Sequence, residues 1–238
     1  MSPLWELDAT RARDTLARLG WMVNRFTEPL GPDRLLRNVR AVGTPVAPDG
    51  TRFVWPVRSR PDADAEATFS ETTAAAGPHT DSQYSDRPED AFVLHCARPA
   101  DCGGGSTVLI RATDVIAVLD RRDPGSLALL RRVDVPFAAP RTFHMHGTSW
   151  GRVVGAGDRI RWRADTLAAG LRLTGYHRPG LRRAIQAFED AVHEADRVQF
   201  RLHAGEEIVV DNTRVLHART AFRDRRRLLW RVRWRWEP

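Results

Sequence analysis

The sequence contains no lysine, so all 37 of its basic residues are arginine. They outnumber the 30 acidic residues and give a formal net charge of +7, which by itself suggests an anionic macromolecular partner. However, acidic residues are interspersed among the arginines, and a composition rich in arginine and without lysine is typical of a coding bias. We therefore expect no nucleic-acid partner. A nucleic-acid binder stays open as an alternative because the cluster at 223–227 carries four arginines.

Long apolar runs and cysteines are also scarce. No apolar stretch approaches the roughly 18 residues that a membrane-spanning helix needs, and residues 1–14 lack the apolar segment of a secretory signal. Cys96 and Cys102 are too few for a disulfide framework and lack a metal-binding CxxC spacing. These absences predict a cytoplasmic protein with free thiols and no membrane partner. The 238 residues, 42% of them hydrophobic, suffice for one domain spanning 1–238.

Strand signals dominate the second half of the chain. β-branched and apolar content predicts strands at 52–58, 92–98, 107–110, 142–146, 149–154, 159–163, 198–202, 207–210, 215–219 and 228–236. The turn 155–158 predicts that the strands on either side of it form a hairpin. Helices are predicted at 8–19, after Pro32, at 113–120 and at 124–131. The clearest helix carries Leu181, Ile185, Phe188 and Val192 on one face.

Strand blocks without βαβ alternation favour a mainly β fold with flanking helices. The architecture that fits best is a double-stranded β-helix, or jelly roll, with helices packed outside. Residues 1–60 would form N-terminal helices and a strand, and residues 61–78 a mobile loop or lid. Residues 79–238 would form the jelly-roll core, with a helical insertion at about 178–197.

The strongest chemical signal is the triplet His79-Thr80-Asp81. Residues one apart on an extended chain project to the same side, so the imidazole and the carboxylate can meet one metal ion. His217, which follows a strand and the turn at Asp211-Asn212, would complete a facial triad of two histidines and one carboxylate. The pair His144–His146 is a rival metal pair, although no carboxylate stands beside it.

Three blocks carry a family resemblance. The stretch PHTDSQYSDRPEDAFVLHCAR, then GGGST, then DNTRVLHARTAF and RRLLWRVR resemble the TauD/TfdA and clavaminate-synthase-like iron(II)/2-oxoglutarate dioxygenases. The blocks keep the family's order from Pro78 to Arg231. The resemblance implies that His79, Asp81 and His217 ligate iron(II), with 2-oxoglutarate and O2 as co-substrates.

The far carboxylate of 2-oxoglutarate needs a charge-assisted partner, for which arginine is the best match. In the family this arginine lies about ten residues past the distal histidine, which indicates Arg227. The last strand alternates between tryptophans on one face and Arg231, Arg233 and Arg235 on the other, and Arg227 shares the arginine face. If the tryptophan face packs under outer helices, Arg227 and Arg231 point into the barrel. The alternative is that both face solvent on an edge strand.

The remaining site predictions concern the co-substrate and the substrate. Thr107 resembles the family threonine that also contacts 2-oxoglutarate, and Arg231 is predicted to meet an anionic group of the substrate. Gln83 and Tyr84, just past the triplet, are predicted to contact the substrate as well. The blander alternatives are a β-branched strand residue for Thr107 and ordinary loop residues for the other two.

The function implied is oxidation, most simply hydroxylation, of an unactivated C–H bond. The resemblance favours a small amino-acid-like or anionic metabolite of specialised metabolism, and a carboxylate at Asp81 favours hydroxylation over halogenation. Desaturation and cyclisation are alternatives within the same chemistry. A non-catalytic jelly-roll module that binds a metal or ligand is an alternative of another class. The sequence predicts no oligomeric state.

Overall fold

The computed structural model describes residues 4–60, 68–140 and 147–237. Its helices are α1 (Ala9–Leu19), α2 (Pro32–Arg40), α3 (Ala112–Arg122), α4 (Pro124–Arg132), α5 (Ala164–Thr174) and α6 (Leu181–Glu194). Its first six strands are β1 (Trp21–Arg25), β2 (Thr44–Val46), β3 (Val54–Val57), β4 (Ala76–His79), β5 (Ala91–Arg98) and β6 (Thr107–Arg111). The others are β7 (Asp134–Ala138), β8 (Thr148–Arg152), β9 (Arg197–Phe200), β10 (Glu206–Asp211), β11 (Val215–Arg219) and β12 (Leu228–Arg235).

Two antiparallel sheets form the body of the protein. The larger sheet has the order β1-β10-β5-β12-β2, with β3 also paired to β12, and the smaller has the order β4-β11-β6-β9. Between them lies an apolar interior that includes Phe92, Leu94, Leu109, Ile208 and Leu229. Two sheets that enclose a core, with helices on their outer faces, confirm the predicted jelly roll.

The outer face of the larger sheet is covered by the N-terminal helices. Helix α1 begins where the Asp8 carboxylate accepts a hydrogen bond from the Arg11 amide at 2.9 Å, and it ends at Gly20, whose φ is 82°. Buried residues of α1 and α2 pack with Val232 and Trp234 of β12. The tryptophan face of β12 therefore lies under the helices, and its arginine face is turned toward the interior of the barrel.

A second group of helices covers the smaller sheet. Helices α3 to α6 and strand β7 share an apolar cluster in which Phe188 of α6 packs against Trp162, with ring centroids 4.6 Å apart. The apolar face predicted for the clearest helix is the buried face of α6. Within the described ranges, no helix combines the length and the apolar character that crossing a membrane requires.

The middle of the chain differs from its prediction. The hairpin predicted between 149–154 and 159–163 is reduced to one antiparallel bridge, between Val154 and Ile160, and the predicted strand at 159–163 does not form. Strand β8 pairs with β7 instead. Pro136 interrupts the strand signal of β7, so this partner was missed. Helix α5 and strand β1 were not predicted either.

Two further predictions fall partly or wholly on residues that are not described. The strand at 142–146, with the rival pair His144 and His146, lies outside the described residues. Residues 61–67 of the predicted lid also lie outside them. The rest of that segment contains a 3-10 helix at Phe69–Glu71 and the start of β4, so its last residues belong to a strand.

Candidate metal centre

Strands β4 and β11 are neighbours in the smaller sheet, and their register places His79 directly opposite His217. The two imidazole centroids are 4.1 Å apart. Oδ1 of Asp81 lies 3.8 Å from Nε2 of His79 and 3.7 Å from Nε2 of His217. All three side chains are buried, and their ligand atoms lie within 4.8 Å of one another. Residues remote in sequence thus converge on one point.

Backbone contacts fix the triplet in this arrangement. Nδ1 of His79 donates to the Gly77 carbonyl at 2.8 Å, which leaves Nε2 with its lone pair toward the centre. Asn212 accepts a hydrogen bond from the amide of Asp81 at 2.7 Å and donates to its carbonyl at 3.2 Å. Sequence reasoning noted Asn212 only as part of a turn. The sole signal of its role was its position shortly before His217.

The protonation states suit metal binding. Burial lowers the pKa of His79 to about 4, against the opposing effect of Asp81. Burial and the proximity of His79 hold the pKa of His217 well below its ordinary range. Burial alone would raise the pKa of Asp81, but Arg231 and Arg233 hold it well below its ordinary value. At neutral pH the site therefore presents two neutral imidazoles and a carboxylate, the forms that ligate a metal.

The second oxygen of Asp81 is held by two buried guanidinium groups. Oδ2 accepts from Nε of Arg233 at 2.8 Å and from Nη1 of Arg231 at 3.1 Å. Arg231, predicted as a substrate contact, is thus placed beside Asp81, a predicted metal ligand. Arg233 was not singled out, although strand alternation put it on the same face. Oδ1 is the oxygen near both imidazoles and also accepts from Nη1 of Arg231 at 3.4 Å, whereas Oδ2 accepts the two shorter hydrogen bonds from the arginines.

A small cavity of about 50 Å³, the inner cavity, is lined by both imidazoles and by three arginines, Arg219, Arg227 and Arg231. Thr107 also lines it and is buried. Arg227 is 4% exposed, and its Nη2 donates to the Gly105 carbonyl at 3.0 Å. Its Nη1 is buried without a hydrogen-bond partner among the described residues. The cavity therefore offers unused donors and concentrated positive charge, which suit a carboxylate.

The glycine turn before β6 makes room for Arg227. Gly105 has a φ of 76°, and a Cβ there would lie 2.8 Å from Nε of Arg227. A Cβ on Gly104 would lie 2.2 Å from the Ala221 carbonyl. The GGGST block is therefore required sterically for the arginine to lie against the turn.

Gln83 and Tyr84 are not brought to this cavity. Gln83 is fully buried and donates to the Thr166 hydroxyl of α5 at 2.8 Å, and Tyr84 packs in the apolar cluster under the helices. Their role as substrate contacts stays a prediction, and the contacts observed hold the loop after the triplet against α5.

Taken together, the residues fit a ferrous ion and a dicarboxylate. Two histidines and one carboxylate leave coordination positions open, as in non-haem iron(II) oxygenases. The unpaired Nη1 of Arg227 lies in a cavity that the two imidazoles also line. Within the described residues, the side chains of His79, Asp81 and His217 are the group that could hold a metal.

Comparison with known proteins agrees with this geometry. The family model described as taurine catabolism dioxygenase TauD, TfdA family matches residues 21–233. The protein "Dioxygenase str8" of Strobilurus tenacellus is 29% identical over 158 residues, which cover 64% of this chain and 36% of that protein. The matched region is thus little more than a third of that relative.

Solved structures share the fold at low sequence identity. An asparagine oxygenase solved with Fe(II), 2S,3S-3-hydroxyasparagine and succinate has a TM-score of 0.72 at 20% identity, covering 98% of this chain and 81% of that one. The non-haem iron oxygenase OrfP with Fe and alpha-ketoglutaric acid has a TM-score of 0.68 at 17% identity, covering 94% and 80%. A taurine dioxygenase from Burkholderia xenovorans has a TM-score of 0.65 at 16% identity, covering 96% and 81%.

Proposed function

The chain belongs to the TauD/TfdA dioxygenase family, and on that premise we propose that it is an iron(II)- and 2-oxoglutarate-dependent dioxygenase that hydroxylates an unactivated C–H bond of a small amino-acid-like metabolite. The observation that carries this proposal is the convergence of His79, Asp81 and His217 beside a cavity in which Arg227 has an unpaired donor. A metal-binding module without turnover would not need that buried, unpaired guanidinium.

Each residue has a distinct part in the proposed reaction. His79, His217 and Oδ1 of Asp81 would hold the iron, and Arg227 with the Thr107 hydroxyl would hold the far carboxylate of 2-oxoglutarate. The bound metal and keto acid supply the oxidation of a C–H bond by O2, with succinate and carbon dioxide as by-products. Arg231 and Arg233 would keep Oδ2 of Asp81 turned away from the ion, so that the carboxylate occupies one position. The enclosing sheets exclude water from the site.

An amino-acid-like substrate is supported by two lines of evidence. The asparagine oxygenase was solved with hydroxyasparagine and succinate, and it shares the fold. In this chain Arg231 lines the inner cavity, and its Nε is buried without a partner among the described residues, so it could pair with a substrate carboxylate. Desaturation or cyclisation would use the same residues and would be recognised by the product formed.

The test combines binding with turnover. Anaerobic titration of the iron(II)-loaded protein with 2-oxoglutarate should produce the weak visible charge-transfer band, and adding O2 should release succinate. His79→Ala and Asp81→Ala should abolish both signals. Arg227→Met should weaken 2-oxoglutarate binding about a hundredfold, since a buried charged partner is removed. Arg226→Met is the matched control, because Arg226 is exposed and pairs with Asp224. A folded protein that gives no band would refute the proposal.

A further inference from the structure

A second cavity, of about 350 Å³, lies against the metal site and has no part in the roles described so far. His79 and Phe69 line both this outer cavity and the inner one. The Phe69 ring meets the His79 imidazole edge-on, with centroids 5.1 Å apart. A molecule in the outer cavity would therefore lie beside a predicted metal ligand.

The outer cavity has an apolar wall. It is formed by Phe69, Pro78, Trp162 and Val192, of which Trp162 and Val192 are 2% and 3% exposed. A charged side chain packed against these four residues would lose hydration there, whereas an apolar one would gain from burial.

The charged groups around the cavity do not change this inference. Arg163 binds Asp165 through two hydrogen bonds of 2.8 and 2.9 Å, and its guanidinium lies 4.2 Å from the Phe69 ring centroid. The charges of Arg163 and Asp165 therefore already offset each other. Glu189 and His193 are half-buried and exposed respectively, as expected for residues at a mouth that opens to water.

The apolar walls are tied to the metal-binding triplet. Thr80 donates from its amide to the Trp162 carbonyl at 2.8 Å, and its hydroxyl accepts from the Trp162 amide at 3.1 Å. Nη1 of Arg219 donates to the Phe69 carbonyl at 2.7 Å. Both aromatic residues are thus held in a fixed relation to His79, which is what control over the oxidised carbon requires.

From this arrangement we propose that the outer cavity binds an apolar side chain of the substrate, aromatic or branched aliphatic, and that Phe69 and Val192 determine this specificity. The inference rests on the proposed function and narrows it: the substrate is an amino-acid-like molecule with an apolar side chain, in contrast to a small, wholly polar one. The carboxylate of this substrate would pair with Arg231 in the inner cavity, while its apolar side chain would lie against His79 in the outer cavity.

The test measures binding without turnover. The protein loaded with Mn(II) and 2-oxoglutarate under argon is titrated calorimetrically with four probes: L-leucine, L-phenylalanine, L-asparagine and L-arginine. We expect at least one apolar probe to bind at least about tenfold more tightly than both polar probes. Val192→Asp and Phe69→Ala should each reduce that preference about tenfold or more. Leu173→Asp on α5 is the control, because Leu173 is 74% exposed.

Affinity for 2-oxoglutarate, measured on every variant, separates the two proposals. If the wild-type protein binds no 2-oxoglutarate, the proposed function fails. If 2-oxoglutarate binds but neither apolar probe does, or the polar probes bind as tightly, the specificity proposal is overturned and the proposed function stands. An unchanged preference in folded Phe69→Ala, which tolerates substitution better than the buried Val192, would also overturn it.

Discussion

The buried imidazole of His79 makes the stability of the metal-free protein depend on acid in a calculable way. Its pKa is lowered to about 4, whereas in the unfolded chain it is about 6.5. Between these values the unfolded chain binds a proton that the folded protein does not, so stability falls as the pH falls from 6.5 toward 4. Asp81 affects stability in a different pH range. Because its pKa is lowered, stability is lost through this group only when the pH falls below its ordinary pKa of about 3.9.

The magnitude follows from the two pKa values. The complete loss due to His79 is roughly 3.4 kcal/mol, of which about 2 kcal/mol falls between pH 7 and pH 5. His79→Gln removes this share, so the variant should lose about 2 kcal/mol less than the wild-type protein over the same interval. The pKa of His217 is depressed partly by His79, and relieving that depression acts in the same direction.

The assay is urea unfolding at a series of pH values in the presence of a chelator, because bound metal would stabilise the folded state independently. The control is His177→Gln, which removes an exposed imidazole between α5 and α6. It should follow the wild-type curve. The reasoning is refuted if His79→Gln loses as much stability as the wild-type protein between pH 7 and pH 5 while both unfold cooperatively.

Three further substitutions test the supports of the site and the fold. Gly105→Ala should displace Arg227 and weaken 2-oxoglutarate binding at least about tenfold, measured by calorimetry; unchanged affinity would show that the turn does not position Arg227. Asn212→Ala should weaken metal affinity about tenfold by freeing the backbone of Asp81, measured by Co(II) titration; equal affinity would show that Asn212 does not support metal binding. Glu207→Leu should lower the free energy of unfolding by about 3 kcal/mol, measured by urea denaturation, since this fully buried carboxylate accepts several hydrogen bonds; a neutral result would mean that apolar packing replaces them.

The residues that the sequence identified were those whose chemistry is carried by spacing. The HxD triplet and the late His217 needed only the pairing of two strands, and β4 and β11 provide it with the histidines face to face. Alternation along β12 was sufficient to place Arg231 on the inner face, because Trp230, Val232 and Trp234 pack under the helices. Arg227 precedes β12 and a register shift at Leu228, so its position was indicated by the family resemblance.

The features that escaped prediction depend on contacts between distant segments. Helix α5 has a central glycine, Gly170, and an exposed leucine, Leu173, so its sequence lacks a clear helical pattern. The glycine is required by packing, because a Cβ there would lie 2.1 Å from the Pro136 carbonyl of β7. The hydrogen bonds of Asn212 to Asp81 join residues 131 positions apart. Composition and periodicity describe neighbours along the chain, so such long-range supports have no local signal.

Charge balance connects the metal centre with the kind of substrate proposed. Among the described residues, four arginines surround the site: Arg219, Arg227, Arg231 and Arg233. Asp81 and the buried Glu89 are the carboxylates that act on Arg231 and Arg233. Burial is the main cause that lowers the pKa of Arg219 and of Arg231 to about 10, and the neighbouring arginines lower it further.

A divalent metal ion would increase the positive excess, and the cost of burying unpaired charge then rises steeply. The 2-oxoglutarate dianion offsets only part of it. A carboxylate on the substrate would reduce the remainder, while an additional cation would increase it. The arginines proposed to bind the co-substrate would thus favour an anionic group at the inner end of the substrate, and the apolar outer cavity would favour an apolar group at its other end.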